Sequence, residues 1–556
     1  MSIRKKLLFT GIVLVSLAAV VYVNRLYVFQ YSLGWVTDLT NPRDANRPVP
    51  WLAGPEVAQQ PLAQRPPNII VILADDLGIN DVSMHGGGLT TEGVPTPSID
   101  SIARDGVRFD QGYAGAAVCT VSRAALMTGR YPWRFGVEFT PTPGAMARVA
   151  GALYADTDNL HPVIVDKEKS QSAKSFNDLG MPASEITVAE ALKARGYHTL
   201  HIGKWHLGST PEMRPNNQGF DETLFMESGL HLPVNSPDVQ NSRQDFDPID
   251  KFLWPNMRFA ASYNGGKWFE PAKYLADYYT DEAVTAIKKN KNRPFFMYLA
   301  HWGPHTPLQA SKADYDALSG IPDHRRRVYA GMVRSIDRSV GRVLQTLKDE
   351  GLDDNTIVIF SSDNGAPGYI GLPEVNKPYR GWKLTLFEGG LRVPYVAKWP
   401  GHIAPGTQYK PPVSNIDILP TVLAAAGARL PTDRVIDGVN LLPFLGTNPA
   451  SPQQASRPLF WRDGPYRAVQ EQGWKLIVSE RPKKDWLFNL NVDPTEKTNL
   501  AASQPEKLAQ MKARLKAHHD PMPPPLWPSF IELPIAIDKT LDQKAKPEDE
   551  YTYWAN

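Results

Sequence analysis

From Asn68 onward the chain repeats one pattern, a short unbroken apolar run that ends in a polar cluster. "NIIVILADD" ends in Asp75 and Asp76, and the strand-like part of "TVAEALKARGYHTLHIGKWHLG" ends in Lys204 and His206. "RPFFMYLAHWGPHTP" leads to His305, and "NTIVIFSSDNG" to Asp363 and Asn364. Runs this short, apolar at successive positions, predict strands buried on both faces, and the amphipathic stretch before Gly196 predicts a helix between two of them. The expected fold class is α/β, a large mainly parallel sheet sandwiched by helices. Ligands of open α/β sheets bind beyond the carboxyl ends of the strands, so four clusters distant in sequence are expected to meet in one crevice. Any one of them alone reads as ordinary turn chemistry after a strand. Together, carboxylates and an amide oxygen beside cations and imidazoles suit a metal ion and an anionic ligand. The adjacent Asp75 and Asp76 would repel each other without a cation, which favours the metal.

The texture changes after "DGVNLLPFLGTNPAS" at 437–451. Short aromatic and β-branched runs alternate with turns, and 504–518 reads as a closing helix, so 446–520 is expected to be a smaller α+β subdomain carrying an antiparallel sheet, after a main domain at 68–445. The tail 521–556, with Trp527 and Trp554, is expected to drape over the body or a partner subunit. At the other end, Leu7 to Val23 is uncharged and follows Arg4, Lys5 and Lys6. As a helix it would span about 26 Å, close to the ~30 Å hydrocarbon core of a bilayer. Residues 1–24 are therefore expected to be a signal peptide or membrane anchor that exports the rest, to the periplasm or the periplasmic face of the inner membrane in a bacterium. Residues 25–67 carry seven prolines between Pro42 and Pro67 and read as an extended tether.

Composition narrows the function classes. The 556 residues are 42% hydrophobic and 21% charged, with a net charge of +2 and no long basic run beyond the N-terminus, so nucleic acid is not an expected partner. There is one cysteine, Cys119, which excludes an intramolecular disulfide. It stands in "VCTVSRAALMTGR", before a predicted helix from Ser122 that Gly129 stops. A helix N-terminus favours an anion and would lower a thiol pKa, and Arg123 adds positive charge one turn on. A small buried hydrophobe is the plainer role for a free cysteine. These neighbours favour a nucleophile facing an anionic substrate.

Cys119-Thr-Val-Ser-Arg123 followed by Ala-Ala-Leu-Met-Thr-Gly-Arg130 resembles the signature of the type I sulfatase family, Cys-x-Pro-Ser-Arg with a short helix and Thr-Gly-Arg. "LADDLG", "GKWHLG", "PHTP", "SSDNGA", "GWKLTLFEGGLRVP" and "LFNLNVDPTEKTNLA" agree with the family in order, so the resemblance runs from about residue 68 to 500. It implies an alkaline-phosphatase-like fold and oxidation of Cys119 by a maturation enzyme to Cα-formylglycine, whose hydrate is the nucleophile. Val121 departs from the pattern, standing where the family has proline. Asp75, Asp76, Asp363 and Asn364 form a hard-oxygen set suited to Ca2+ or Mg2+. The resemblance favours Ca2+, with position 119 completing the shell. It further implies that Arg123, Lys204 and Lys383 hold the sulfate, Arg123 and Lys204 also positioning the hydrate, that His305, with Lys383, protonates the leaving oxygen and also contacts substrate, that His206 is the base that releases sulfate, and that Asp363 activates the attacking hydroxyl. His198, His201, His231 and His301 are expected to be structural or pocket-lining. The expected substrate is an organic sulfate monoester, an aryl sulfate first and a sulfated carbohydrate next, with the loop 141–184 and the insertion 226–268 walling its pocket. Two other readings stand beside this one: a formylglycine-dependent phosphonate monoester or phosphodiester hydrolase, and a non-catalytic, membrane-tethered binder of sulfated ligands.

Overall fold

The computed structural model describes residues 25–86, 94–144, 160–171, 174–226, 229–446 and 457–556, together with a few isolated positions. Ten strands form one sheet. Its centre is five parallel strands in the spatial order Thr356–Ser362, Asn68–Ala74, Phe295–Ala300, His198–Lys204 and Glu222–Met226, and the strands outside them run mostly antiparallel to their neighbours. Every residue of these five strands is buried, as continuous apolar runs require of a sheet covered on both faces. Helices Pro97–Arg104, Leu275–Asn290 and His324–Asp349 pack as one group against the sheet, and Cys119–Thr128, Val188–Lys193 and Ile418–Ala425 as another.

Register decides where the chemistry sits. Ala74 pairs with Ser362, Leu73 with Ala300, and Ala300 with Gly203, so four strands end at one level. Asp75, Asp363, His301 and Lys204 follow side by side. One glycine is indispensable to this edge. Gly203 has φ +106°, and a Cβ there would lie 1.9 Å from the carbonyl oxygen of Ala300. Gly203→Ala is expected to cost about 2 kcal/mol or more, from strain and displaced backbone, and to move Lys204 with it. A fall in the urea midpoint together with reduced turnover is the expected observation.

The C-terminal part has the expected antiparallel meander: Leu459–Asp463, Tyr466–Glu471, Trp474–Glu480 and Lys483–Asn489, with helix Pro505–His519 laid on it. The tail is more ordered than a drape. Ile531–Ala536 and Tyr551–Ala555 pair as an antiparallel hairpin, to which Ile164–Val165 adds a third strand. The expected tether 25–67 is extended only in its proline-bearing part from Asn41 on, which is laid along the body; Arg25–Thr40, which contains no proline, is instead an α-helix packed on helix Pro248–Asn256. Trp51 is buried there and donates to Glu282 at 2.7 Å, and the Leu52 amide donates to Glu222 at 2.8 Å. The apolar run from Leu7 to Val23 falls outside the described residues apart from isolated positions, as do 447–456, where the subdomain boundary was expected. Among the described residues no helix is long and apolar enough to cross a membrane.

Candidate active site

Cys119 opens the helix Cys119–Thr128, so the helix begins one turn earlier than Ser122, and Gly129 ends it in the left-handed conformation expected of its stop. All ten helix residues are buried. The Cys119 thiol lies 3.5 Å from an oxygen of Asp75, 3.7 Å from one of Asp76 and 3.3 Å from Nζ of Lys383. Lys204 donates to Asp75 at 2.6 Å, and Lys383 approaches Asp76 to 2.7 Å. Arg123 crosses beneath. Its Nε and Nη2 are each 2.9 Å from Oδ2 of Asp363, and its Nη1 donates to the Lys204 carbonyl and the Tyr298 hydroxyl. Three buried carboxylates are thus matched by three buried cations.

That balance sets the protonation of the group. Burial raises the Asp75 carboxyl, but Lys204, His305 and Arg123 outweigh it and hold it at about 2. Asp76 is lowered as well, burial being overcome by Lys383 and His305. Asp363 is raised by burial and by Asp75, so it holds its charge less firmly. The thiol departs from expectation. Burial and Asp363 push Cys119 well above the ordinary thiol range, against the pull of Lys204 and Lys383. Helix position alone suggested a lowered value, but desolvation and nearby carboxylates dominate. Burial thus works against the helix end at this position.

The two imidazoles border the same group. His305 points Nε2 at Asp76, 3.6 Å away, while its Nδ1 lies 2.5 Å from the Thr306 carbonyl. Burial lowers it, partly offset by Asp76. His206 is held well below its ordinary value by burial and then by Lys204, Arg123, His305 and Lys383, so it is a neutral base at pH 7. Its carbonyl accepts a hydrogen bond from Thr120 beside Cys119. Three non-glycine residues here, Asp76, His206 and Leu384, have positive φ (66°, 62° and 79°), strain that functional sites commonly hold.

A divalent cation fits these residues. Ligand-capable atoms of Asp75, Asp76, Cys119 and His305 lie within 4.8 Å of one another. The amide oxygen of Asn364 is buried with no hydrogen-bond partner among the described residues, while its nitrogen donates to Asp76 at 2.7 Å. A bare carbonyl oxygen beside paired carboxylates is a hard-ligand arrangement. Asp363 joins the group through Arg123 and through the Asp76 amide, which donates to it at 3.1 Å.

The structure adds residues that the sequence did not single out. Tyr369 donates its hydroxyl to Asp76 at 3.1 Å, and Lys204 lies 4.5 Å from the centre of the Trp302 ring, against which His305 also packs. Nothing in the spacing of "GAPGYIG" or "AHWGP" marks these aromatics. The other histidines stand apart in role. His198 pairs with Glu222 at the start of its strand, His301 bonds Ser339, His201 packs among Trp205, Phe220 and Tyr298, and His231 stacks on Tyr274.

Comparison with known proteins agrees with this geometry. The profile of the sulfatase family matches residues 67–428, more than half of the chain and every residue of the site. The chain belongs to the sulfatase family. A second profile, N-sulphoglucosamine sulphohydrolase C-terminal, matches residues 381–520 of this sulfatase. N-acetylgalactosamine-6-sulfatase of Homo sapiens is 35% identical over 417 residues, 72% of this chain and 69% of that protein. Arylsulfatase A of Homo sapiens is 33% identical over 498 residues, 81% and 87% of the two chains. The crystal structure of Ps i-CgsB in complex with k-i-k-neocarrahexaose superposes with a TM-score of 0.69 at 31% identity, covering 83% of this sulfatase and 95% of that chain. This sulfatase is a sulfuric ester hydrolase.

The departure at Val121 is neutral for the sulfatase fold. Ser122 makes the first i to i−4 bond of the helix, to Val118, whereas the carbonyl that Val121 would use, that of Ala117, accepts instead from Leu384. In the first turn an amide hydrogen has no intrahelical partner to lose, so neither proline nor valine at 121 changes the helix's hydrogen bonds.

Proposed function

We propose that this sulfatase hydrolyses a sulfate monoester of a saccharide, with an aryl sulfate as the second class, through a formylglycine hydrate made from Cys119. One observation carries the mechanistic part: the side chain at 119 is the buried meeting point of Lys383, Asp75 and Asp76 at the head of its helix. The saccharide is placed ahead of the aryl ester because N-acetylgalactosamine-6-sulfatase and the neocarrahexaose complex name sugars. A hydrate supplies two hydroxyls, one to attack sulfur and one from which the aldehyde re-forms as sulfate leaves.

The chain's own groups supply the rest. Lys204, Lys383 and Arg123 surround the place of attack and offset the charge that grows on the sulfuryl oxygens. Asp363, the carboxylate least firmly ionised, takes the proton of the attacking hydroxyl. His305, at the edge of the site, delivers a proton to the leaving oxygen, and neutral His206 removes one as sulfate is expelled. Asp75, Asp76, Asp363, Asn364 and the group at 119 would hold Ca2+, with Mg2+ as the substitute, which would act as a Lewis acid on the sulfate. The proposal includes export directed by the N-terminal run, and a maturation enzyme as a partner.

Mass spectrometry of the peptide containing position 119, from protein made in its own host, is expected to show the aldehyde and its hydrate. Matched aryl sulfate and aryl phosphonate esters separate sulfatase from phosphonate hydrolase, with faster sulfate turnover expected. Chelation should abolish that turnover and lower the melting temperature, and Ca2+ should restore both. An unmodified thiol in fully active protein would sink the mechanism.

A further inference from the structure

A cavity of about 330 Å³ is lined by Tyr369, Trp382 and Leu384. Tyr369 links it to the site, bonding Asp76 and lying with its ring centre 5.6 Å from Nζ of Lys383, and Trp382 and Leu384 flank Lys383 in the chain. Both segments expected to wall the pocket reach it, 141–184 through Leu160 and His161, 226–268 through Phe246 to Ile249. A third wall was not expected. It is the C-terminal hairpin and its connecting loop, including Leu533 and Leu541, with Lys544 and Lys546 at the exposed margin. This segment lies beyond both family matches, which end at 428 and 520.

The hairpin is fastened to the loops that carry the site. Trp382 donates its indole N–H towards the carbonyls of Ala536 and Lys539, 3.2 Å from each, and the Leu541 amide donates to Gly368 at 3.0 Å, one residue before Tyr369. Arg380 holds Asp538 at 2.7 Å. The apolar sides of Phe246, Leu384 and Leu541 suit a ring. Of the charges around the mouth, Lys539 is paired with Asp549 at 2.6 Å and Asp542 with Arg325 at 3.4 Å, whereas Lys544 has no ion pair among the described residues.

We infer that this cavity takes the alcohol portion of the sulfate ester, and that the C-terminal hairpin selects it. The ring packs between Phe246, Leu384 and Leu541, and Lys544 and Lys546 meet a second sulfate or carboxylate on the saccharide. The inference rests on the sulfatase reading and adds to it the substrate class, a saccharide bearing more than one anionic group.

The test compares kcat/KM for a disulfated oligosaccharide with that for 4-nitrophenyl sulfate. Lys544→Ala/Lys546→Ala is expected to lower the ratio about tenfold through KM, a loss of about 1.4 kcal/mol of binding to two exposed lysines. Leu541→Trp, which fills the cavity, should lower it likewise. The charge-matched control Lys512→Ala/Lys516→Ala, on the outer face of the last helix, should leave the ratio where it is, and melting temperatures establish that all variants are folded. Calorimetric binding of the disulfated oligosaccharide in a Cys119→Ala background gives the same comparison without turnover. An unchanged ratio and unchanged binding in both cavity variants overturn the inference and leave the sulfatase reading standing. Binding that depends on Lys544 and Lys546 in a protein that releases no sulfate would uphold the cavity and defeat the sulfatase reading.

Discussion

Cys119→Ala is expected to lower kcat/KM for sulfate esters by about four orders of magnitude or more, the scale on which loss of a nucleophile is felt when the rest of the site survives. Survival is expected because the charges around position 119 pair with one another. Asp75, Asp76 and Asp363 keep Lys204, Lys383 and Arg123 as partners, so the buried charges stay compensated when the side chain at 119 is cut back. The variant should melt within a degree or two of the parent and still bind sulfate, which separates loss of chemistry from loss of structure. Cys119→Ser sharpens the result. A serine has one hydroxyl, so even if it attacked sulfur it would have no second oxygen from which to expel sulfate. Its expected signature is stoichiometric labelling without turnover. Retention of a tenth of parental activity in the alanine variant would remove position 119 from the mechanism.

The second large effect lies away from the reacting atoms. Lys475, on the strand Trp474–Glu480 of the C-terminal sheet, reaches Glu388 at 2.8 Å and Glu496 at 2.9 Å, and all three side chains are wholly buried. Glu388 opens the turn of helix Glu388–Leu391 that follows the Lys383 loop, where it also bonds Arg392 and Tyr113, and its amide donates to Glu496. Burial and Glu388 raise Glu496 to about 7, with Lys475 opposing. Lys475→Met would strand two buried carboxylates with Arg392 as their remaining cation. The expected loss is about 3–5 kcal/mol of unfolding free energy, the usual cost of breaking a buried pair from one side. Chemical denaturation measures it. Adding Glu496→Gln should return part of the loss, because the second variant removes one stranded charge. Equal stability of Lys475→Met and parent would mean that the C-terminal sheet is not electrostatically keyed to the Lys383 loop.

Much of this site could be read in the chain because it is made where strands end. Continuous apolar runs locate strands, the polar residues after them locate one edge of a sheet, and parallel register brings Asp75, Lys204 and Asp363 together however far apart they are in sequence. What the chain concealed is set by contacts between loops. Tyr369 and Trp302 became visible as neighbours of Asp76 and Lys204 only once their loops were folded. The thiol was misjudged because a helix end is a local feature, whereas the burial and carboxylates that govern Cys119 come from the whole domain. In the tail, prolines and tryptophans announce packing without saying against what. Its contact with Trp382 has no counterpart in any periodic pattern.

These attachments also impose an order on events during synthesis. Position 119 is made early and ends up sealed, 3% exposed, at the centre of the molecule. The Lys383 loop that closes over it is fixed by Lys475, Glu496, Ala536 and Lys539, all of which follow position 119 far downstream in the chain. The proposed maturation enzyme would have to reach Cys119 before these downstream segments dock. On the proposed function, modification of Cys119 competes with the closing of the fold over it.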